Sequence, residues 1–208
     1  MKTIRIAVLI SGSGTTLQNL IERVSAGRLS CEIVLVISSK EGVAGLSKAE
    51  DAGIPSFVVE KKSFSDTEAF SAKIFEHCRE HQVDLVCMGG FLQLVRIPDD
   101  FTNRVMNVHP TLIPSFCGQG FHGGRAHKAV LEKGVKVSGC TVHFADNIYD
   151  HGPIIVQRAV PVLEDDDVQS LAARVFEQEC EAYPEAIQLF AEDRLIVEEH
   201  RVRILPPS

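Results

Sequence analysis

The feature that most constrains the fold is an alternation, in the first half of the chain, between short apolar runs and segments with helical spacing. The apolar runs predict strands at residues 4–10, 32–37, 56–59, 85–88 and 105–108. The segments between them predict helices at residues 17–26, 44–52 and 67–82. Because repeated strand–helix–strand units lay helices over both faces of a parallel sheet, this half predicts a Rossmann-like α/β fold.

The second half of the chain predicts antiparallel strands and one long helix. "VSGCTVHFA" and "PIIVQRAVPV" are rich in β-branched residues, and the polar stretch "DNIYDHG" joins them, which predicts strands added antiparallel to the sheet. A helix is predicted from about residue 167 to 190, and "HRVRILPPS" predicts a last edge strand. No repeat or change of composition marks a linker. We therefore expect one domain over residues 1–208, a mostly parallel sheet with helices on both faces and antiparallel C-terminal strands.

Charge and composition argue against several classes of partner. The chain of 208 residues has a formal net charge of -7, which disfavours nucleic acid. No run approaches the roughly 18 apolar residues of a membrane span, and the apolar start of the chain is too short for a signal peptide. Six cysteines without a C-x-x-C pair indicate a reduced protein. We expect a cytoplasmic protein, monomer or homodimer, whose partners are small molecules rather than nucleic acid or membrane.

The stretch "LISGSGTTLQNL" predicts an anion-binding loop between the first strand and the first helix. Glycine amides at a helix N-terminus form a nest for an anion, and the helix dipole adds to it. A dinucleotide fingerprint would have glycine where Leu17 stands, so a phosphate monoester fits the loop Gly12, Ser13, Gly14, Thr15 and Thr16 better. The alternative is that the glycines only make a tight turn.

The stretch "VCMGGFLQLV" places a glycine pair and an apolar loop after a buried strand. Ligands of α/β proteins bind at the carboxyl ends of parallel strands, and Gly89 and Gly90 would let a planar ligand approach the backbone. The side chains that would line its slot are Phe91, Leu92, Leu94 and Val95. The alternative is that these residues belong to the ordinary core.

The stretch "VMNVHPTLIPSF" ends a strand with Asn107 and His109. Alternation along an extended chain puts both side chains on one face, and two converging donors suit a developing oxyanion. Pro110 and Pro114 restrict the loop that follows. The alternative is a pair of satisfied polar residues at a strand end. The remaining histidines lack the spacing of a metal site.

Five segments in order along the chain resemble the glycinamide ribonucleotide formyltransferases, folate-dependent enzymes of purine biosynthesis. They are "SGSGTTLQNL", "GGFLQLV", "NVHPTLIPSF", "SGCTVHFADNIYDHGPIIVQ" and "ARVFEQECEAYP". The resemblance implies the formyltransferase fold and transfer of a formyl group from 10-formyltetrahydrofolate, the co-substrate, to the glycyl amine of glycinamide ribonucleotide. It implies no metal. It also implies a catalytic trio of Asn107, His109 and Asp150.

The resemblance further implies two binding regions. The loop that holds the ribonucleotide phosphate corresponds to Gly12, Ser13, Gly14, Thr15 and Thr16, and an acid near the substrate amine corresponds to Glu179. The wall of the folate pocket corresponds to Phe91, Leu92, Gln93, Leu94 and Val95, with Asn107 and Asp150 beside the folate. The loop around residues 118–125 is longer than is common in the family.

Three alternatives compete with this interpretation. A methionyl-tRNA formyltransferase would carry a C-terminal barrel, and its tRNA substrate would suit the acidic charge poorly. A formyltetrahydrofolate hydrolase usually carries an N-terminal regulatory domain, whereas the first predicted strand starts at Ile4. A non-catalytic module that binds NADP or another nucleotide would explain the glycine loop, but it gives no reason for Asn107, His109 and Asp150 together.

Overall fold

A computed structural model of the chain describes residues 3–207. The chain divides between Met106 and Asn107 into two compact units, and each is described by itself. The predicted α/β class, with parallel strands first and antiparallel strands near the C-terminus, is confirmed. The expectation of one domain over the whole chain stays a prediction. Within residues 3–207, no helix has both the length and the apolar character needed to cross a membrane.

The first unit is a parallel sheet with helices between its strands. Its elements are β1 (Ile4–Ile10), α1 (Thr15–Ser25), β2 (Cys31–Ser38), α2 (Ala44–Asp51), β3 (Ser56–Val58), α3 (Thr67–Glu80) and β4 (Leu85–Met88). The strand order is β3-β2-β1-β4, and all three pairings are parallel. The predicted strands and helices of this half are confirmed, with bounds that differ by at most two residues. Residues 6–10 of β1 are completely buried on both faces, as expected of a parallel strand covered by helices.

Local sequence explains where two of these helices begin. The side chain of Asp66 accepts a hydrogen bond from the Ala69 amide, 2.7 Å away, and so caps α3. Gly14 precedes α1 with φ +66°, a left-handed conformation that glycine adopts without strain. A short loop therefore leads directly from β1 into α1.

The second unit contains the antiparallel part of the fold. Its elements are the last three residues of β5 (Val105–His109), then α4 (Gly124–Lys133), β6 (Val137–Phe144), β7 (Ile154–Pro161), α5 (Val168–Ala191), β8 (Leu195–Glu198) and β9 (Arg201–Ile204). β6 and β7 pair antiparallel, as predicted, and α5 matches the predicted long helix. Asp167 caps α5 by accepting from the amides of Gln169 and Ser170.

Two features of this unit differ from expectation. The sequence predicted the last strand as an edge strand, but β9 lies between β7 and β8, and β8 forms the edge. β8 and β9 are a hairpin, and β9 pairs in register with β7 at Ile154 and Arg201, which places β9 rather than β8 inside the sheet. The helix α4 was not predicted, because its glycine-rich start gives no apolar periodicity before Ala126.

Candidate active site

The second unit brings the predicted trio together. Asn107 and His109 lie at the end of β5, and Asp150 lies in the loop between β6 and β7. Nδ1 of His109 is 3.4 Å from Oδ2 of Asp150, and Nδ2 of Asn107 donates to Oδ1 of the same carboxylate at 3.3 Å. The side chains of His109 and Asp150 are only 4% and 10% exposed, so this carboxylate and imidazole interact with little screening by water.

Both ring nitrogens of His109 face acceptors. One faces the Asp150 carboxylate, and Nε2 lies 3.0 Å from the backbone carbonyl oxygen of Phe116. Neither a carboxylate nor a carbonyl can donate, so an imidazole that carries protons on both nitrogens satisfies both contacts. Oδ2 of Asp150 also accepts from the amide of Gly118 at 2.8 Å. The carboxylate therefore holds β5 and the loop after it in one arrangement.

His143 is a member of this cluster that sequence reasoning missed. Its Nδ1 lies 2.9 Å from the carbonyl oxygen of Phe144, which only accepts, so the proton of a neutral ring belongs on Nδ1. Nε2 is then an acceptor, and it lies 3.2 Å from Nδ2 of Asn107. Burial lowers the pKa of His143, which keeps the ring neutral. His143 thus fixes the orientation of the Asn107 amide.

A signal for His143 was present in the sequence. The positions 139, 141 and 143 alternate along a strand, so they share one face, but nothing local shows that this face meets Asn107. A second histidine, His127 of α4, is also buried close to the trio. Burial, and after it the charge of His109, lower the pKa of His127.

Glu179 is the fourth predicted functional residue of this unit. It lies on α5 beside Cys140 of β6, and burial of its carboxyl group raises its pKa to about 7. The residue as a whole is only half-buried, although burial of the carboxyl group is the cause of its raised pKa. A carboxyl group with this pKa is partly protonated near neutral pH, and it can either hold or release a proton there.

The first unit contains the predicted anion-binding loop. The positive φ of Gly14 turns the chain into α1, whose first amides have no carbonyl within the helix to bond. A Cβ at position 14 would lie 2.6 Å from Cα of Gly45 in α2, so the loop lies directly against that helix. Ser13 and Thr15 are exposed, whereas Thr16 is buried. The geometry suits an anion at helix amides that no side chain caps, beside the exposed residues Ser13 and Thr15.

The same unit places the segment after β4 against this loop. Gly89 is so close to Thr16 that a Cβ at position 89 would lie 2.9 Å from that of Thr16. The Leu92 amide donates to Oγ of Ser11 at 3.0 Å. The two stretches that the sequence singled out in the first unit are therefore neighbours.

The side chains of the predicted folate segment are not equivalent. Val95 is almost fully buried, whereas Leu92 is 39% exposed. The Phe91 ring stacks on Phe70 of α3, with ring centroids 6.4 Å apart and planes nearly parallel. Gln93 and Leu94 are half-buried. The segment thus offers a partly exposed apolar surface on a buried base.

Comparison with known proteins gives matches over most of the chain. Residues 4–187 match the family model described as formyl transferase. The chain is 44% identical over 190 residues to the trifunctional purine biosynthetic protein adenosine-3 of Gallus gallus, covering 90% of this chain and 18% of that protein. It is 33% identical over 194 residues to the chloroplastic phosphoribosylglycinamide formyltransferase of Vigna unguiculata, covering 92% of this chain and 62% of that protein.

A solved structure agrees with these relatives. The crystal structure of glycinamide ribonucleotide transformylase 1 from Symbiobacterium toebii is 45% identical, with a TM-score of 0.91. The match covers 98% of this chain and 95% of that one. The chain thus has nearly the length of this structural relative, and it spans less than a fifth of the trifunctional protein from Gallus gallus.

Proposed function

Because the chain belongs to the formyl transferase family, we propose that it transfers a formyl group from 10-formyltetrahydrofolate to the glycyl amine of glycinamide ribonucleotide, a step of purine biosynthesis. Relatives named for phosphoribosylglycinamide formyl transfer, with similarity over most of this chain, support the choice of substrates. The observation that carries the chemistry is the contact of one buried carboxylate, Asp150, with both His109 and Asn107.

The proposed chemistry uses the trio as follows. The amine attacks the formyl carbon, and negative charge develops on the formyl oxygen. The Asn107 amide is the donor to this oxygen, and the positive charge of the His109 imidazolium, whose two N–H groups face Asp150 and the Phe116 carbonyl, stabilises the oxyanion electrostatically. Asp150 accepts the proton released by the amine, directly or through water, and that proton passes to the folate nitrogen as the bond between the formyl carbon and this nitrogen breaks. No covalent intermediate on the protein is needed.

The hydrogen bonds of the Asn107 amide indicate which contact must change when the substrate binds. The two amide protons of Asn107 face Nε2 of His143 and Oδ1 of Asp150, at 3.2 and 3.3 Å. Both distances lie at the long end of the hydrogen-bond range, so these bonds are weak ones. A formyl oxygen can therefore share or replace one of them at a small cost. His143 remains an acceptor throughout the reaction, so the Asn107 side-chain amide does not exchange the positions of its oxygen and nitrogen.

We propose binding roles for the remaining predicted residues. The loop from Gly12 to Thr16 binds the ribonucleotide phosphate, and the helix N-terminus that follows it, which no side chain caps, supports this role. The segment from Phe91 to Val95 forms part of the folate pocket, and Glu179 lies near the substrate amine. We further propose that the protein works in the cytoplasm on small molecules, without a metal, as a monomer or homodimer.

The test is an assay of the purified chain with both substrates. Loss of the formyl group from 10-formyltetrahydrofolate should depend on glycinamide ribonucleotide. Release of free formate without the ribonucleotide would contradict the proposal and indicate a hydrolase. Asp150→Asn should lower kcat by roughly 10²-fold, the scale of a lost acid–base or oxyanion contribution, with both KM values nearly unchanged.

A matched control separates this effect from a general loss of charge. Asp100 is an exposed aspartate of the first unit and is paired with Arg79 at 2.8 Å. Asp100→Asn removes one surface ion pair, which contributes at most about 1 kcal/mol to stability, and kcat should stay the same. Near-normal turnover by Asp150→Asn would contradict the role of the carboxylate. An equal loss in both variants would show that stability, not catalysis, had changed.

A further inference from the structure

One face of β6 supports the segment that carries the trio. Gly139, Thr141 and His143 alternate along the strand and share this face. His143 fixes Asn107, as described above. At the other end, a Cβ at position 139 would lie 2.9 Å from a side-chain carbon of Leu112, so the turn after β5 lies directly on the strand. Thr141 stands between these two contacts.

The Thr141 hydroxyl bonds the backbone of this turn on both sides. Thr141 is fully buried, and its Oγ1 donates to the carbonyl of Thr111 at 2.8 Å. The same oxygen accepts from the Ile113 amide at 3.0 Å. Gln157 is opposite Thr141 in the β6–β7 register, and its Nε2 donates both to Oγ1 of Thr141 and to the Ile113 carbonyl, at 3.0 Å each.

The same turn also contacts the His109 ring through a backbone carbonyl. The hydroxyl of Thr111 donates to the carbonyl oxygens of Ser115 and Phe116, at 2.8 and 3.2 Å. The Phe116 carbonyl is the group that faces Nε2 of His109 at 3.0 Å. Thr141 is thus connected to the imidazole through two residues of the turn. It bonds the backbone of Thr111, whose hydroxyl bonds the Phe116 carbonyl, and that carbonyl faces the His109 ring.

We propose that Thr141, with Gln157 as its partner, is a positioning residue that sets the orientation of His109 by fixing the turn between residues 110 and 116. The proposal rests on the proposed function, because it assumes that the His109 imidazole acts in formyl transfer. The Thr141 hydroxyl bonds the turn and Gln157 rather than the His109 ring, and it contributes no proton to the reaction. Its effect is the placement of one carbonyl oxygen against one ring nitrogen.

Two substitutions at one position isolate the hydroxyl. Thr141→Val keeps the side-chain shape but leaves the Thr111 carbonyl and the Ile113 amide without that partner, whereas Thr141→Ser keeps the hydroxyl. In the full chain, we expect Thr141→Val to lower kcat about 10-fold or more, with each KM within about threefold of wild type, as for a loss confined to the transition state. Thr141→Ser should stay within about threefold of wild type in kcat.

A double-mutant cycle distinguishes positioning from a structural role. In a His109→Ala background, Thr141→Val should cost less than about twofold more in kcat, because residues that act as a unit have non-additive effects. If Thr141 only supports the fold, the loss will be as large without His109 as with it, and the proposal is overturned.

A measurement that does not depend on turnover tests the positioning role of Thr141 separately from the proposed formyl transfer. The ¹⁵N chemical shifts of the His109 ring, measured without ligands, should change in Thr141→Val and return to wild-type values in Thr141→Ser. If Thr141→Val does not fold, Gln157→Leu removes the other donor of the pair and should change the same ring signals. Unchanged ring signals would overturn the proposal whatever the activity. Failure of wild type to transfer the formyl group, with the ring signals changed as expected, would contradict the proposed function alone.

Discussion

The Glu179 carboxyl group should make the stability of this protein depend on pH in a predictable direction. Burial raises the pKa of this group to about 7 from its ordinary value of 4.5. Between these two values the folded protein keeps a proton that the unfolded chain has released. Stability from this group is therefore fully present below about pH 4.5, and it is lost as the pH rises through about 7.

The size of the effect follows from the shift. The difference between a pKa of about 7 and one of 4.5, at about 1.36 kcal/mol per pKa unit, gives about 3 kcal/mol of stability lost between acid and mildly alkaline pH. This is an upper bound, because Glu179 keeps some contact with solvent, which screens the charge. Glu179→Gln has no proton to lose. The variant should therefore be within about 1 kcal/mol of wild type at pH 5 and more stable, by up to about 3 kcal/mol, at pH 8.

Urea unfolding at several values between pH 5 and 8 measures this difference. Subtracting the free energies of unfolding of wild type and variant at each pH removes the contribution of all other titrating groups. Glu177→Gln is the matched control, because Glu177 is exposed on the same helix. It should leave the pH dependence as in wild type. A difference between Glu179→Gln and wild type that stays constant from pH 5 to 8 would refute the reasoning.

Two further predictions test the binding roles in the first unit. Gly14→Ala forces a Cβ to within 2.6 Å of Cα of Gly45 at a positive φ, so it should raise the KM for the ribonucleotide at least about 10-fold more than the KM for the folate. Equal changes in both KM values, measured by steady-state kinetics, would show that the loop is only structural. Folate alone should protect the backbone amides of residues 89–95 from hydrogen exchange, because the pocket is proposed to include them. Mass spectrometry that finds no protection there with folate, or the same protection with the ribonucleotide alone, would place the folate elsewhere.

Much of the candidate site could be predicted because its signals are local. Gly12 and Gly14 follow a strand and precede a helix, and Asn107 and His109 end another strand, so their positions follow from the backbone alone. The catalytic role of Asp150 was predicted only from the resemblance to a family, because no local pattern links it to Asn107, 43 positions earlier. His143 was assigned only to a strand, although the structure makes it the acceptor for Asn107.

The sequence by itself determined the elements of the first unit. The tertiary structure decided the partners of the polar groups in the second unit and the order of the last strands there. Apolar periodicity reflects backbone geometry over a few residues, so strands such as Ile4–Ile10 and Leu85–Met88 have the bounds that their sequence predicts. The place of β9 inside the sheet depends on pairing with a strand about 45 residues earlier, which no local pattern encodes. The pKa of Glu179 and the contacts of Thr141 likewise depend on burial by distant residues, because desolvation and hydrogen bonding are set by neighbours in space.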